Sequence, residues 1–263
     1  MAKRRCIFCL TPRTTDEHVF ADWLREVFPR TPRDTRTLGV TQWGQDRRGK
    51  LYAMPSRTIR QGHSGSTKVP YVCRGCNNGW MSRMETRTRP ILMPLIQGLP
   101  HSISTFDLKV LATWIAKTVM VAEYIHPGHI AIPDLERLHL MANLAPPDNW
   151  MIWIADYRGL KWRSLALSHH MGKLLPPKPT EPADKPLGPD THVTSIGIGR
   201  LFIQVGVSAH GFDMENDAFR LVWPLSGLSL SWPPARPIDD AEADHVANSL
   251  IRISRLPVAG VLE

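Results

Sequence analysis

Apolar residues recur at helical spacing through the first half of the chain and at every second position through much of the second half, with the change near residue 150. Val19, Phe20, Trp23, Leu24 and Val27 predict a short amphipathic helix that ends at Pro29. From Arg30 to about Lys68 the pattern dissolves into Thr, Arg, Gly and Pro, with weak strand signals near Leu38–Trp43 and Leu51–Met54. A helix opening at Asn78 or Gly79 carries Trp80, Met81 and Met84. It must finish near Arg89, because proline disfavours helical backbone in the residue before it. An apolar segment, Ile91 to Ile96, runs on to Gly98. The strongest helix extends from about Thr105, as N-cap, to Ile125, with Leu108, Leu111, Ala112, Ile115, Val119 and Ala122 on one face. Pro133 to Ala142 reads as another short helix.

After these the period becomes two. Trp150–Ala155, Trp162–Ser168, Val193–Ile198, Leu201–Ser208 and Phe219–Val222 read as strands, with Gly199-Arg200 as a tight hairpin turn. Pro176 to Asp190 holds six prolines and cannot form a ladder. A last helix is expected from Asp239 to about Ile253, with acidic residues at its positive end. The order predicts an α+β fold: a small N-terminal module in residues 1–98, interrupted by a polar insertion at 30–68, then a helical segment and a mainly antiparallel β domain in 99–263.

The 263 residues are 43% hydrophobic, enough for a sizeable core. The longest apolar stretch, Val110 to Ile125, is broken by Lys117 and Glu123, so it predicts a buried helix and no membrane span. The basic start, Met1-Ala2-Lys3-Arg4-Arg5, has no apolar run behind it, and a cytoplasmic address is the expectation. Residues 1–98 hold 18 Lys/Arg against 7 Asp/Glu, a net of +11, while residues 99–263 hold 14 against 17. A basic module attracts polyanions by releasing their counterions, and nucleic acid is the commonest such partner; a merely soluble basic surface fits the charge alone equally well. Within the insertion Arg33, Arg36, Arg47, Arg48, Lys50, Arg57 and Arg60 accompany Trp43 and Tyr52, which suits either a phosphate-tracking segment or a flexible surface loop.

All four cysteines lie in two Cys-x-x-Cys knuckles, Cys6/Cys9 and Cys73/Cys76. Two such pairs have the spacing of a structural Zn²⁺ site, and a reducing compartment favours metal over disulfide. A thioredoxin-like redox role needs a strand before the knuckle, and Cys6 lies too near the terminus for one. Each knuckle is tied to a polar cluster. Asp16-Glu17-His18 follows the first, and Asn77-Asn78 follows the second directly.

This order, with Cys6-Ile7-Phe8-Cys9, Asp16-Glu17-His18-Val19 and Cys73-Arg74-Gly75-Cys76-Asn77-Asn78, resembles the zinc-supported branch of the HNH (ββα-metal) endonuclease family over roughly residues 3–90. The resemblance implies an HNH-like module in which His18 is the general base. Glu17 and Asn78 would hold one catalytic Mg²⁺ or Mn²⁺, with Asn77 capping the helix and structural zinc on the four cysteines. The residue types suit those roles: a histidine can accept a proton from water at neutral pH, and hard oxygen ligands favour Mg²⁺ or Mn²⁺. Helix N–H groups after Asn78 would add an anion site. Three departures stand out. Lys68-Val69-Pro70-Tyr71-Val72 lacks the central Asn that usually orients the base, the insertion is long, and Asn replaces His at the third motif.

Glu85, seven residues beyond Asn78, can add a second carboxylate or a surface ion pair, and His63 can serve as a helper near the site or as a plain loop histidine. Asp244-His245-Val246 and His169-His170 lack cysteine companions and read as structural, as do Trp114, Trp153, Trp162, Trp223 and Trp232. The expectation is a metal-dependent endonuclease acting on nucleic acid, DNA rather than RNA. Residues 99–263 would supply target choice, partner contact or homodimerisation. A non-catalytic zinc module that binds nucleic acid is the rival, and a protein-interaction domain with a zinc clip leaves the +11 unexplained.

Overall fold

The computed structural model describes residues 4–29, 31, 35–45, 51–125, 130–172, 191–208, 214 and 216–250. The chain opens with the first cysteine knuckle, then β1 (Thr14–His18) and a single helical turn, α1 (Leu24–Val27). The helix expected from Val19 is shorter because the ladder continues: the Val19 N–H donates to the Thr67 carbonyl at 3.0 Å, and residues 19–23 remain extended or turning. Next come β2 (Thr35–Gln45) and β3 (Leu51–Gln61), which pair antiparallel over their whole lengths, Thr35 opposite Gln61 and Gln45 opposite Leu51. The insertion is therefore a ribbon rather than patternless chain. The weak strand signals near Leu38–Trp43 and Leu51–Met54 fall inside these two strands, which extend well beyond them.

β4 (Lys68–Cys73) returns to pair with β1. The second knuckle begins α2 (Arg74–Cys76), a wider turn follows at Asn77–Met81, and α3 (Ser82–Gln97) continues to Gly98. The predicted stop at Arg89 is wrong: α3 runs through Pro90 and Pro94 and absorbs the apolar segment after them. Two prolines four residues apart lie on one side, and the carbonyl of Thr86, which Pro90 leaves without a donor, belongs to an exposed residue. The opposite stripe, Met84, Thr88, Ile91, Leu92, Leu95 and Ile96, is buried, and that packing outweighs local preference. Gly98, at φ +70, ends the helix in a left-handed turn.

β5 (His101–Ile103) leads to α4 (Thr105–Ala122). Its cap is Ser104, one residue before the Thr105 predicted, with the Ser104 Oγ accepting the Asp107 N–H at 3.1 Å. α4 is buried nearly all round, Lys117 included, as α3 covers one side and the C-terminal sheet another. α5 (Asp134–Asn143) follows. The sheet contains β6 (Trp150–Asp156), β7 (Ala166–Gly172), β8 (Thr191–Ile198), β9 (Leu201–Ser208) and β10 (Arg220–Trp223) in the order β10-β6-β9-β8-β7, all antiparallel. β7 starts four residues after the predicted Trp162, and the β8–β9 hairpin turns at Gly199, φ +61, as expected. β11 (Leu230–Trp232) pairs with β5, and α6 (Asp240–Ala247), capped by Asp239, closes the described chain. The proline-rich stretch Pro176–Asp190 and the end of the predicted last helix after Leu250 lie outside the described residues.

One apolar cluster runs without a break from Cys6 and Phe8 through α3 and α4 to Trp223 and Trp232, so residue 98 is not a gap in the core. A second cluster, with Trp162, Phe202 and Ala243, fills the space between the sheet and α6. No helix among the described residues is long and apolar enough to cross a membrane.

Candidate functional site

The first knuckle is a tight turn in which the Cys6 N–H bonds the Thr11 carbonyl at 2.9 Å, and the Ile7 N–H fixes the turn to the Tyr71 carbonyl at 2.9 Å. The second knuckle sits where β4 passes into α2. There Cys73 is extended, and its Sγ accepts the Cys76 N–H at 3.4 Å as a helix cap. These two turns bring the Sγ atoms of Cys6, Cys9, Cys73 and Cys76 within 4.8 Å of one another. Four thiolates on a tetrahedral zinc, with bonds of about 2.3 Å, stand about 3.8 Å apart, so this group can hold a metal ion such as zinc. Burial, countered by bonds from the Cys76 N–H, the Thr11 hydroxyl and the neighbouring thiols, leaves the Cys73 thiol lowered to about 6, whereas burial pushes Cys6 and Cys76 up. Phe8, in the first knuckle, meets the edge of Trp80 at 5.1 Å.

Between the knuckles the β1–β4 pair carries Glu17 opposite Val69 and His18 opposite Lys68. The register slips between Thr15 and Glu17, across from Pro70, which has no N–H to give a ladder. Glu17 is buried at 6% exposure. Lys117 reaches it from α4: the Nζ lies 3.9 Å from Glu17 Oε1 and 2.8 Å from Glu85 Oε1 on α3. Burial chiefly, together with Glu85, raises the Glu17 carboxyl to about 7 against the pull of Lys117 and Lys68. His18 ends β1 partly exposed, with its Nε2 3.2 Å from Asp22 Oδ1. Burial, Lys68 and Arg25 lower its pKa, and Asp22 and Glu85 oppose them.

The structure thus gathers Glu17, His18 and Glu85 around one end of the β1–β4 pair and the first turns of α3. Asn77 and Asn78 lie in the wide turn that joins α2 to α3, and Gly79 leaves helical geometry there at φ −94, ψ −110. The helix that was to open at Asn78 or Gly79 already begins at Arg74, capped by Cys73, and re-forms after Gly79. Asn78 is exposed, and among the described residues no hydrogen bond or ion pair joins either asparagine to Glu17 or His18. His63 is buried, with its Nδ1 accepting the Gly65 N–H at 3.1 Å to cap a short turn at Ser64–Ser66. Elsewhere His169 bonds Thr194 across β7 and β8, and Asp244 holds Lys161 and the Trp162 indole.

Two members of the site escaped the sequence. Lys117 registered only as an interruption of an apolar run, yet apolar neighbours on both sides mean that a lysine there must find carboxylates inside the fold. Asp22 carried no signal, since its place beside His18 depends on the turn after β1. No protein-family model, no curated protein and no solved structure matches the chain.

Proposed function

We propose that the chain is a metal-dependent endonuclease of the HNH type that hydrolyses phosphodiester bonds, with DNA as its substrate. The observation that carries this reading is the antiparallel β1–β4 pair running into a helix, with Glu17-His18 at the end of the first strand and the four cysteines gathering the knuckle before β1 and the β4–α2 junction. A strand pair followed by a helix supports the ββα reading that the motif order implies. The net charge of +11 on residues 1–98 suits a polyanionic substrate.

In this reading Asp22 accepts a hydrogen bond from His18 Nε2, which leaves the lone pair on Nδ1 for the attacking water. Asp22 stands in for the orienting Asn absent before the second knuckle. The water oxygen bonds to phosphorus as its proton passes to His18 Nδ1, the P–O3′ bond breaks, and the departing 3′ oxygen takes a proton from solvent, which leaves a 5′-phosphate and a 3′-hydroxyl. Glu17 and Glu85 carry hard carboxylate oxygens, and the motif order adds the Asn78 amide oxygen as a third donor; these donor types suit Mg²⁺ or Mn²⁺, and that ion, when bound, would supply charge neutralisation at the phosphorane and the departing oxygen. The first test is cleavage of supercoiled plasmid by zinc-loaded protein. Nicking that requires Mg²⁺ or Mn²⁺ and leaves 5′-phosphate ends supports the proposal, and intact plasmid with both ions refutes it.

A second reading, a zinc-clasped nucleic-acid-binding module without catalysis, is favoured by one observation. The Lys117 ammonium already lies against Glu17 and Glu85, where a divalent ion would bind.

A further inference from the structure

Trp80 follows Cys76 by four residues, near the close of the wide turn Asn77–Met81, and it meets Phe8, a fully buried residue of the first knuckle, edge-on. Its indole Nε1 is buried and has no hydrogen-bond partner among the described residues. The indoles of Trp23, Trp114 and Trp232 share that state, but Trp80 differs from them in acting on a thiol: it lowers the Cys76 pKa against the burial that pushes it up. The other sulfurs are served without an indole. Cys9 Sγ lies 3.1 Å from the Thr11 hydroxyl, Cys73 Sγ accepts the Cys76 N–H at 3.4 Å, and backbone groups of Cys73, Cys9 and Phe8 act on Cys6. The Cys76 thiol instead donates towards Met141 Sδ at 4.0 Å. A thiol sulfur is a weak acceptor, and a cysteine that binds a metal gives up its proton. Cys76 then has nothing to donate to Met141 and a negative charge in need of a donor, and the idle donor beside it is the Trp80 indole N–H.

We propose that the Trp80 indole N–H donates to the Cys76 thiolate when the four sulfurs hold a metal ion, and that this bond pins the turn that carries Asn77 and Asn78. Trp80 is then a positioning residue. Cys76 and Trp80 bracket Asn77, Asn78 and Gly79, and Gly79 leaves helical geometry, so the helical ladder alone does not fix this stretch. From the α3 side the Ser82 N–H closes the turn onto the Asn77 and Gly79 carbonyls, and the indole ties it back to the cluster. Loading of the four sulfurs and the placing of the two asparagines are thereby linked. The inference needs a metal ion on the cysteines and does not need cleavage.

The test uses the full chain with NMR-active cadmium in place of zinc. A through-bond correlation between the Trp80 indole proton and the cadmium nucleus, carried by the hydrogen bond and the sulfur, is the expected result; a Trp80 indole proton without one overturns the inference. Trp80→Phe keeps an aromatic ring against Phe8 and removes the N–H. It should lower zinc affinity about tenfold in chelator competition, as loss of a partner to a metal ligand typically does. It should also move the thiolate-to-metal charge-transfer band of the Co²⁺-loaded protein to lower energy, which lost packing alone does not do. Unchanged affinity overturns the inference, and so does an unmoved band when affinity falls. In zinc-loaded protein the Ser82 amide should exchange with solvent about tenfold faster in Trp80→Phe, the same factor as the affinity loss, and equal exchange overturns the pinning of the turn. Should Trp80→Phe fail to fold, the cadmium measurement on the wild type decides alone. The cadmium correlation alongside an uncut plasmid would keep this inference and remove the nuclease.

Discussion

Glu17→Gln should stabilise the protein above neutral pH, because the wild-type carboxylate is held in a place that disfavours its charge. Burial and Glu85 outweigh Lys117 and raise its pKa from 4.5 to about 7. A folded-state pKa above the unfolded one means that the folded chain binds the proton more tightly, so stability from this group grows as pH falls through 7 towards 4.5 and is lost as pH rises. A shift of roughly 2.5 units corresponds to about 3 kcal/mol between the two ends of that window. Glutamine resembles the protonated acid in shape and never ionises. The variant should therefore be about 3 kcal/mol more stable than wild type at pH 8 and within about 0.5 kcal/mol of it at pH 4.5. Lys117 keeps Glu85 at 2.8 Å in both proteins, so the substitution strands no ammonium. Urea unfolding of zinc-loaded protein without added Mg²⁺ measures the difference, which is a midpoint shift of about 1 M at a slope of about 3 kcal/mol per M. Zinc and the thiols contribute equally to both proteins at each pH and cancel. A variant that is destabilised by the same amount at pH 8 and pH 4.5 would refute the reasoning and make Glu17 a plain ion-pair partner.

Purified protein should contain about one zinc per chain that resists mild chelation, and Cys76→Ser should lower that content together with the melting temperature; folded, metal-free wild type would remove zinc from the account. Arg137→Met should cost about 3–5 kcal/mol in urea unfolding, since Arg137 and Glu123 are both buried and 2.7 Å apart and the variant leaves Glu123 without its charge partner; a loss under about 1 kcal/mol would contradict the pairing. In the register of the β2–β3 ribbon Arg36 falls opposite Arg60, and Arg57 lies on the same strand as Arg60. Replacing the three with Gln should reduce the slope of log affinity for duplex DNA against log salt by about 2.7, three phosphate contacts at roughly 0.9 each, and an unchanged slope would place the DNA elsewhere.

The parts of this fold that could be read from the sequence are those that depend on neighbours in sequence. The Cys-x-x-Cys spacing announced a four-thiol cluster because each knuckle is a local turn, and the alternation in Trp150–Ala155 and Leu201–Ser208 announced strands because one period of two suffices. What could not be read depends on distant packing. Nothing before Pro90 says that Leu92, Leu95 and Ile96 will pack beside α4 strongly enough to carry a helix through two prolines. The weak strand signals near Leu38–Trp43 and Leu51–Met54 marked β2 and β3, but not their pairing over the full lengths, from Thr35 with Gln61 to Gln45 with Leu51. The candidate site divides the same way. Glu17, His18 and the cysteines stood out by motif, whereas Lys117 and Asp22 join them only through tertiary geometry.

The central claim is that His18 draws a proton from water at the end of β1, and single-turnover cleavage of DNA by His18→Ala tests it most directly. With zinc content and thermal stability equal to wild type and saturating Mn²⁺ present, the account predicts a rate at least 100-fold lower, in line with the 10²–10⁴-fold typical of general-base catalysis. Cleavage by His18→Ala at the wild-type rate would contradict it.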